Sequence, residues 1–262
     1  MDVNFYRSKV YGEFEGQFEK LWQMLTEYNQ KYNLTAITAK EDVFLKHFLD
    51  SVVGESCFPV GANVCEIGSG GGFPSLPLKI IRDDLSFTLI ESTGKKCSYL
   101  QAVVDNFNFK GMKVLNIRAE EGARDKLLRE SFDAAVARAV ARLNTLCEYC
   151  LPFVKVGGVF VAYKGDCAEE VKEASNAIKV LGGRLERVEN FEINGEKRAL
   201  VVIGKVAATP EKYPRGRGLG RTIPLCFFVL PRAPRPGAAP PDKFVRGNNE
   251  LRVYRPQTAG RV

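Results

Sequence analysis

Apolar positions along this chain switch period several times, and each switch marks an element. Phe14, Phe18, Leu21, Trp22, Leu25, Tyr28 and Tyr32 recur at i, i+4, i+7 and i+8, the spacing of one helix face. A packed core face explains that stripe better than a surface for stacking RNA bases. Tyr32-Asn33-Leu34-Thr35 breaks the helix, and Lys40 to Cys57 restarts it with Val43, Phe44, His47 and Phe48 on one side. A short apolar run, Val64 to Ile67, then reads as a strand, and helical spacing resumes from Leu76 to Ile81.

From there strands and helices alternate. Phe87–Glu91 reads as strand, Lys95–Phe109 as helix, Lys113–Ile117 as strand, Ala119–Glu130 as loop or helix, and Phe132–Ala137 as strand. Leu143–Val154 predicts a helix, Gly157-Gly158 a turn, Val159–Lys164 a strand, Glu169–Leu181 a helix and Gly182-Gly183 a turn. Arg184–Ile193 and Arg198–Gly204 close the series as a hairpin through Asn194-Gly195. Such alternation predicts an α/β fold with a doubly wound, mostly parallel sheet, and the last hairpin adds an antiparallel strand. Residues 1–58 precede it as a helical extension, residues 59–206 form the main domain, and 207–262 follow as a tail.

The chemistry concentrates at Val64 to Pro74, where Glu66-Ile67-Gly68-Ser69-Gly70-Gly71-Gly72 joins the first strand to a helix. Glycines allow positive φ and let a ligand lie against bare main chain, while a helix start offers unpaired N–H groups. The lattice alone is a weak signal, since many nucleotide-binding folds use one. An acid at Glu66, two residues before Gly68, narrows it, as does Glu91 at the end of the next strand, where a ribose-binding carboxylate belongs. Gly68 and Gly70, in a turn with an acid on either side, Glu66 and Glu91, suit an adenosine ligand with a cationic sulfonium, S-adenosylmethionine; the alternative is a structural turn in another α/β protein. Arg118-Ala119-Glu120, Arg138 and Lys164-Gly165 follow the next three strands, at the ends where open α/β sheets bind ligands.

Composition changes the picture at two points. The net charge of +7 is uneven: residues 210–262 hold 11 Lys/Arg against 3 Asp/Glu, and residues 1–209 hold 27 against 28. A polyanion must therefore meet a local patch or the tail. The tail also holds 9 of the 13 prolines, so beyond Leu225 it is expected to be extended or disordered. Seven scattered cysteines read as reduced core thiols, and Cys147-Glu-Tyr-Cys150 has zinc-knuckle spacing but no second pair. With one histidine in the chain, no metal site is expected. No apolar run of 18 residues occurs and Met1 opens directly onto polar residues, so neither a membrane span nor a signal peptide is expected.

Taken together, Tyr32-Asn-Leu-Thr35, His47-Phe-Leu-Asp50-Ser51, Gly68-Ser-Gly-Gly-Gly-Phe-Pro-Ser75, Glu91-Ser-Thr-Gly-Lys-Lys96, Arg118-Ala-Glu120, Arg138-Ala and Lys164-Gly165 resemble the glucose-inhibited division protein B family, also called ribosomal RNA small subunit methyltransferase G. Lys212-Tyr-Pro-Arg215 resembles that family's basic end. The resemblance covers about residues 5 to 225 and implies a class I methyltransferase with a Rossmann-like, seven-stranded sheet. It implies S-adenosylmethionine-dependent methylation at N7 of one guanosine in small-subunit ribosomal RNA, by a cytoplasmic, monomeric enzyme acting on that RNA or on the 30S particle. Carried over, Gly68 and Phe73 line the cofactor, Ala119 and Glu120 sit at the adenine, and Arg138 closes the site. On the RNA side it implies Asn33, His47, Arg118, Lys164 and Arg198. The residues alone leave His47 either a catalytic base or a hydrogen-bonded histidine near the cleft. Other readings are a nucleotide-binding dehydrogenase, disfavoured by Glu66 and by the glycine spacing, and a non-catalytic ribosome-assembly factor on the same fold.

Overall fold

The computed structural model describes residues 2–225. Seven strands form one sheet: β1 (Asn63–Ile67), β2 (Ser86–Glu91), β3 (Met112–Asn116), β4 (Phe132–Arg138), β5 (Val154–Lys164), β6 (Gly183–Ile193) and β7 (Glu196–Lys205), in the order β3-β2-β1-β4-β5-β7-β6. β1 pairs in parallel with both β2 and β4, and only β7 runs against its neighbours, β5 and β6. The order reverses between β1 and β4, the switch point at which such sheets open a crevice beyond their carboxyl ends.

Side chains alternate across the sheet with period two, and each face carries its own core. Val64, Phe87, Leu89, Ala134, Val136 and Val161 join one cluster; Cys65, Ile67, Ile90, Ala135, Ala137 and Phe160 join the other. The first cluster is covered by α1 (Val3–Ser8), α2 (Glu15–Tyr32), α5 (Ser75–Ile81), α6 (Gly94–Phe107) and a helical run. That run begins with α3 (Lys40–Val43), continues through a π-helical stretch (Phe44–Leu49) and ends in α4 (Asp50–Val52). The second is covered by α7 (Ala119–Gly122), α8 (Leu143–Cys150) and α9 (Ala168–Val180). The α2 stripe is a core face: Phe18, Leu21 and Leu25 are buried, and Phe14, Trp22, Tyr28 and Tyr32 pack against the same cluster.

Three stretches differ from the sequence reading. Gly157-Gly158 makes no reversal but lies inside β5, where the register with β4 jumps from Phe132↔Val154 to Ala134↔Val159. A Cβ at Gly158 would stand 2.4 Å from the Asp133 carbonyl oxygen, so the glycines serve a bulge in which two backbones nearly touch. The helix expected to reach Val154 stops at Cys150, passes through a 3₁₀ turn over Leu151–Phe153, and yields to β5 because Pro152 lacks the N–H a helix needs. Elsewhere boundaries move by a residue or two, save that the helix expected over Lys40 to Cys57 ends at Val52, ahead of a 3₁₀ turn over Glu55–Cys57.

The third difference is residues 207–225. They pack into the same compact unit as the sheet. Lys205 is wholly buried and donates to the Leu151 and Val154 carbonyls and to Thr209 Oγ1, with Glu130 Oε1 at 2.8 Å. Arg129 donates to the carbonyls of Thr209 and Tyr213, and Arg124 to that of Pro214. The stretch ends in α10 (Leu219–Thr222) against α8, where Thr145 Oγ1 donates to the Gly220 carbonyl. The stretch that resembles the family's basic end is thus, up to Leu225, an arm strapped down by the buried Lys205 and the half-buried Arg129. The expected extended segment beyond 225 lies outside the described residues.

Candidate active site

The glycine turn is built to hold its own shape. Gly68 and Ser69 donate their N–H groups to the Ile90 carbonyl, Gly72 to that of Ser69, and Gly70 to Glu91 Oε2 at 3.0 Å. Most of the N–H groups expected to await a ligand are therefore satisfied within the protein. Gly68, Gly70 and Gly72 take φ of +70°, +55° and +83°, where a side chain is strained. What a Cβ would meet differs at each. At Gly68 it would press on Val140, and at Gly72 on Leu76 at 2.2 Å, whereas at Gly70 it would meet nothing closer than the Gly68 carbonyl at 3.7 Å. Gly72 is a packing glycine, and Gly70 is the one that leaves open space.

That space is a cavity of about 730 Å³ at the carboxyl ends of β1, β2 and β4. Gly68, Gly70, Phe73, Glu91, Arg118, Ala119, Glu120, Arg138 and His47 all line it, so most of the residues singled out in the sequence converge. Glu91 is buried; besides Gly70, its Oε1 accepts from Thr93 N–H at 2.8 Å. Each carboxylate oxygen has a lone pair left, enough for two vicinal hydroxyls. Glu120 accepts from Gly218 N–H at 3.0 Å, and Gly218, Arg217 and Arg221 of the C-terminal arm complete the wall.

Glu66 does not line the cavity. The two-residue alternation of β1 turns it to the same face as Val64, beside Ser75, where it is almost wholly buried and neither oxygen closes a hydrogen bond. Burial pushes its carboxyl up to about 8, despite the neighbouring Ser75 hydroxyl and the Arg138 charge. The expected cofactor contact at Glu66 is thus corrected to a neutral carboxylic acid behind the turn. Asn33, expected on the RNA side, lines neither this cavity nor its neighbour and stands exposed as the left-handed cap of α2 with φ of +51°.

A second, smaller cavity of about 290 Å³ adjoins the first, sharing His47, Arg138 and Ala139 and adding Lys46, Asp50, Tyr163, Lys164, Gly165 and Arg198. Asp50 sits at its base, 3.0 Å from Arg138 and 3.3 Å from Arg198. Lys164 donates to the Ala141 carbonyl and to Glu170 Oε2. His47 stacks on Phe73 with ring centroids 4.5 Å apart, while the Arg138 guanidinium lies 5.0 Å over the same ring. Arg138 also donates to His47 Nδ1 at 3.1 Å and to the Lys46 carbonyl at 3.2 Å. Burial, and then the Arg138 charge, hold His47 down to about 3, so the ring is neutral and a poor base near neutral pH. Of the two roles left open for His47, the hydrogen-bonded one is observed.

Residues 15–201 match the GidB family, described as rRNA small subunit methyltransferase G. A relative of that name from Brevibacillus brevis is 45% identical over 214 residues, 80% of this chain and 90% of that protein. One from Lactobacillus johnsonii is 44% identical over 216 residues, with the same shares covered. This chain belongs to the rRNA small subunit methyltransferase G family. A solved structure of a mutant of MtNAS covers 79% of this chain and 83% of its own at a TM-score of 0.51 and 13% identity, a likeness of fold alone.

A methyltransferase needs a methyl donor, and the site fits the expected one, S-adenosylmethionine, in three respects. The cavity volume lies within the roughly 300–1,000 Å³ of small-molecule sites. Glu91 presents two oxygens at the end of β2, and Gly70 leaves the cavity floor bare. Sequence reasoning missed Ser69, Thr93, Lys96, Tyr149, Arg217 and Arg221 of the lining. Thr93 and Lys96 stand beside Glu91 in one of the family's motifs, but the arm residues carried no signal, because only chain folding brings them back to the cavity.

The six described cysteines are all free, with Cys147 and Cys150 fully buried. Among the described residues no group of three or more His, Cys, Asp or Glu is placed to hold a metal ion. No described helix is long and apolar enough to cross a membrane.

Proposed function

We propose that this methyltransferase transfers a methyl group to N7 of a guanosine in small-subunit ribosomal RNA. The observation that supports it most is the pairing of two adjoining cavities: one with the Glu91 carboxylate and the glycine turn, the other bordered by Lys46, Lys164 and Arg198. S-adenosylmethionine, when bound, supplies an electrophilic methyl carbon on a sulfonium. Glu91 accepts the ribose hydroxyls, the bare Gly70 admits the ligand against the turn, and Ala119 and Glu120 flank the base at the end of β3. Arg118, Lys164 and Arg198 face RNA phosphates, with His47 and Arg138 at the junction.

Guanine N7 offers an in-plane lone pair, so no proton has to leave before the carbon–nitrogen bond forms. A neutral histidine held at about 3 is consistent with such a target, because nothing at the junction needs to act as a base. The protein's contribution is then alignment of nucleophile, carbon and leaving sulfur, an effect of up to roughly 7–11 kcal/mol. The base must leave its stack, since the N7 edge of A-form RNA lies in a deep, narrow groove.

Labelled S-adenosylmethionine is incubated with small subunits lacking the modification, with naked ribosomal RNA as a second substrate, and the nucleosides are resolved by mass spectrometry. The expected product is 7-methylguanosine. Label in adenine, a pyrimidine or protein overturns this reading.

A further inference from the structure

The hydrogen bonds around Thr35 leave one proton without a protein acceptor. Thr35 is half-buried and lines the main cavity, beside His47, which with Arg138 lines the second cavity as well. Its backbone is clamped: Asn29 Nδ2 donates to the Thr35 carbonyl at 3.0 Å, and Thr35 N–H donates to Asn29 Oδ1 at 2.9 Å. Its hydroxyl oxygen accepts from Ile37 N–H at 3.0 Å and lies 2.8 Å from His47 Nε2.

The direction of that last bond follows from the other side of the ring. Arg138 Nη2 is 3.1 Å from His47 Nδ1, and a guanidinium can only donate. Nδ1 is then the acceptor. The ring is neutral, so its single proton is on Nε2 and is donated to Thr35 Oγ1. The opposite tautomer would donate from Nδ1 to the Lys46 carbonyl at 3.2 Å, but it would turn an N–H against the guanidinium. With Ile37 and His47 both donating, the two lone pairs of Oγ1 are filled. The hydroxyl hydrogen is left to point away from both donors, in a residue that lines the main cavity.

We propose that Thr35 is a specificity-determining residue, its hydroxyl donating to O6 of the target guanine beside the N7 that accepts the methyl group. This rests on the guanine-N7 reading above. Guanine carries two acceptors on that edge, N7 and O6, whereas adenine carries a donor amine where guanine has O6. A donor that cannot turn into an acceptor therefore admits guanine and meets adenine donor to donor. The stack of His47 on Phe73 and the Asn29 clamp hold the hydroxyl in place before substrate arrives.

Two measurements test it. His47 is the only histidine in the chain, so the imidazole nitrogen resonances of the full-length protein need no assignment. They are expected to report the neutral Nε2–H tautomer, and a neutral Nδ1–H ring overturns the proposal. The second compares kcat/KM on small subunits reconstituted with the target guanosine or with 2-aminopurine riboside, which keeps N7 and lacks O6. The native protein is expected to favour guanosine by about 10- to 100-fold, the range for a missing hydrogen bond with a group left unpaired. Thr35→Val is expected to bring that ratio near one at unchanged cofactor affinity, and Thr35→Ser to keep it. Equal rates on both substrates with the native protein overturn the proposal without any variant. So does a Thr35→Val protein that keeps the full ratio, or one that loses cofactor affinity instead, since the hydroxyl would then serve the cofactor. Formation of 7-methylguanosine on the native substrate is scored separately, so failure of the functional reading is distinguished from failure at Thr35.

Discussion

Gly70 and Glu66 sit four residues apart and show how differently one motif can be used. Gly70 has positive φ and opens onto the cavity, while Glu66 is sealed behind it. Gly70→Val is expected to lose cofactor binding in calorimetry while the protein stays folded. Gly61→Val is the control, since Gly61 has φ of +69° and nothing within 4 Å, so it carries the same strain of about 1–2 kcal/mol without touching the site. Equal loss in both would assign the effect to strain. For Glu66 the sign is set by a folded value raised from 4.5 to about 8. The fold favours its neutral form, so its contribution is fully present below 4.5 and is lost as pH rises through about 8. Glu66→Gln keeps the shape and removes the titration. Its melting temperature is expected to gain on the native protein steadily between pH 5 and pH 8, and a flat difference would mean that Glu66 ionises in the fold as readily as in the unfolded chain.

At the scale of elements, the arm formed by residues 207–225 is held by pairs that reach far along the chain. Glu148 on α8 is 1% exposed and accepts from Arg215 three times, through its backbone N–H, Nε and Nη2. Removing the guanidinium leaves a buried carboxylate uncompensated. Arg215 is itself about a quarter exposed, so Arg215→Ala is expected to cost about 2–3 kcal/mol, below the usual range for a fully buried pair. Thermal melts measure the total. Amide hydrogen exchange should show the loss concentrated in 207–225, and cofactor affinity should fall with it, because Gly218 and Arg221 come away from the cavity. A destabilised variant with unchanged cofactor affinity would detach the arm from the site.

For the molecule as a whole, the question is where the working enzyme ends. A protein cut after Leu225 keeps every residue that lines either cavity and is expected to methylate small subunits as fast as the full chain. A protein cut after Val206 lacks the arm, including the Gly218 bond to Glu120 and the Thr209 bond to Lys205, and is expected to lose both stability and cofactor binding. Turnover at saturating substrate and cofactor calorimetry on the two truncations decide between these outcomes. A tenfold slower 1–225 protein would make the last 37 residues a working part. In a salt series, every RNA phosphate that those residues neutralise should make the log–log slope of binding steeper in the full chain by about 0.7–0.9.

Periodicity and turn chemistry were enough to determine the order of strands and helices, the α2 core face and the glycine turn, because those depend on spacing within a few residues. The motif set was enough to bring Gly70, Phe73, Glu91, Glu120 and Arg138 into one site, since successive strand ends in a parallel sheet must share an edge. Three things were decided only by the tertiary structure. The Gly157-Gly158 pair became a bulge because the Asp133 carbonyl lies against it, across the pairing with the neighbouring strand β4. Glu66 left the site because pleating, which turns alternate residues to opposite faces, set it beside Ser75. The Pro- and Arg-rich arm became part of the cavity wall because its partners, Glu130, Glu148 and Glu120, are remote in sequence, and a buried acid gives no sign of its cation until the chain has closed around both.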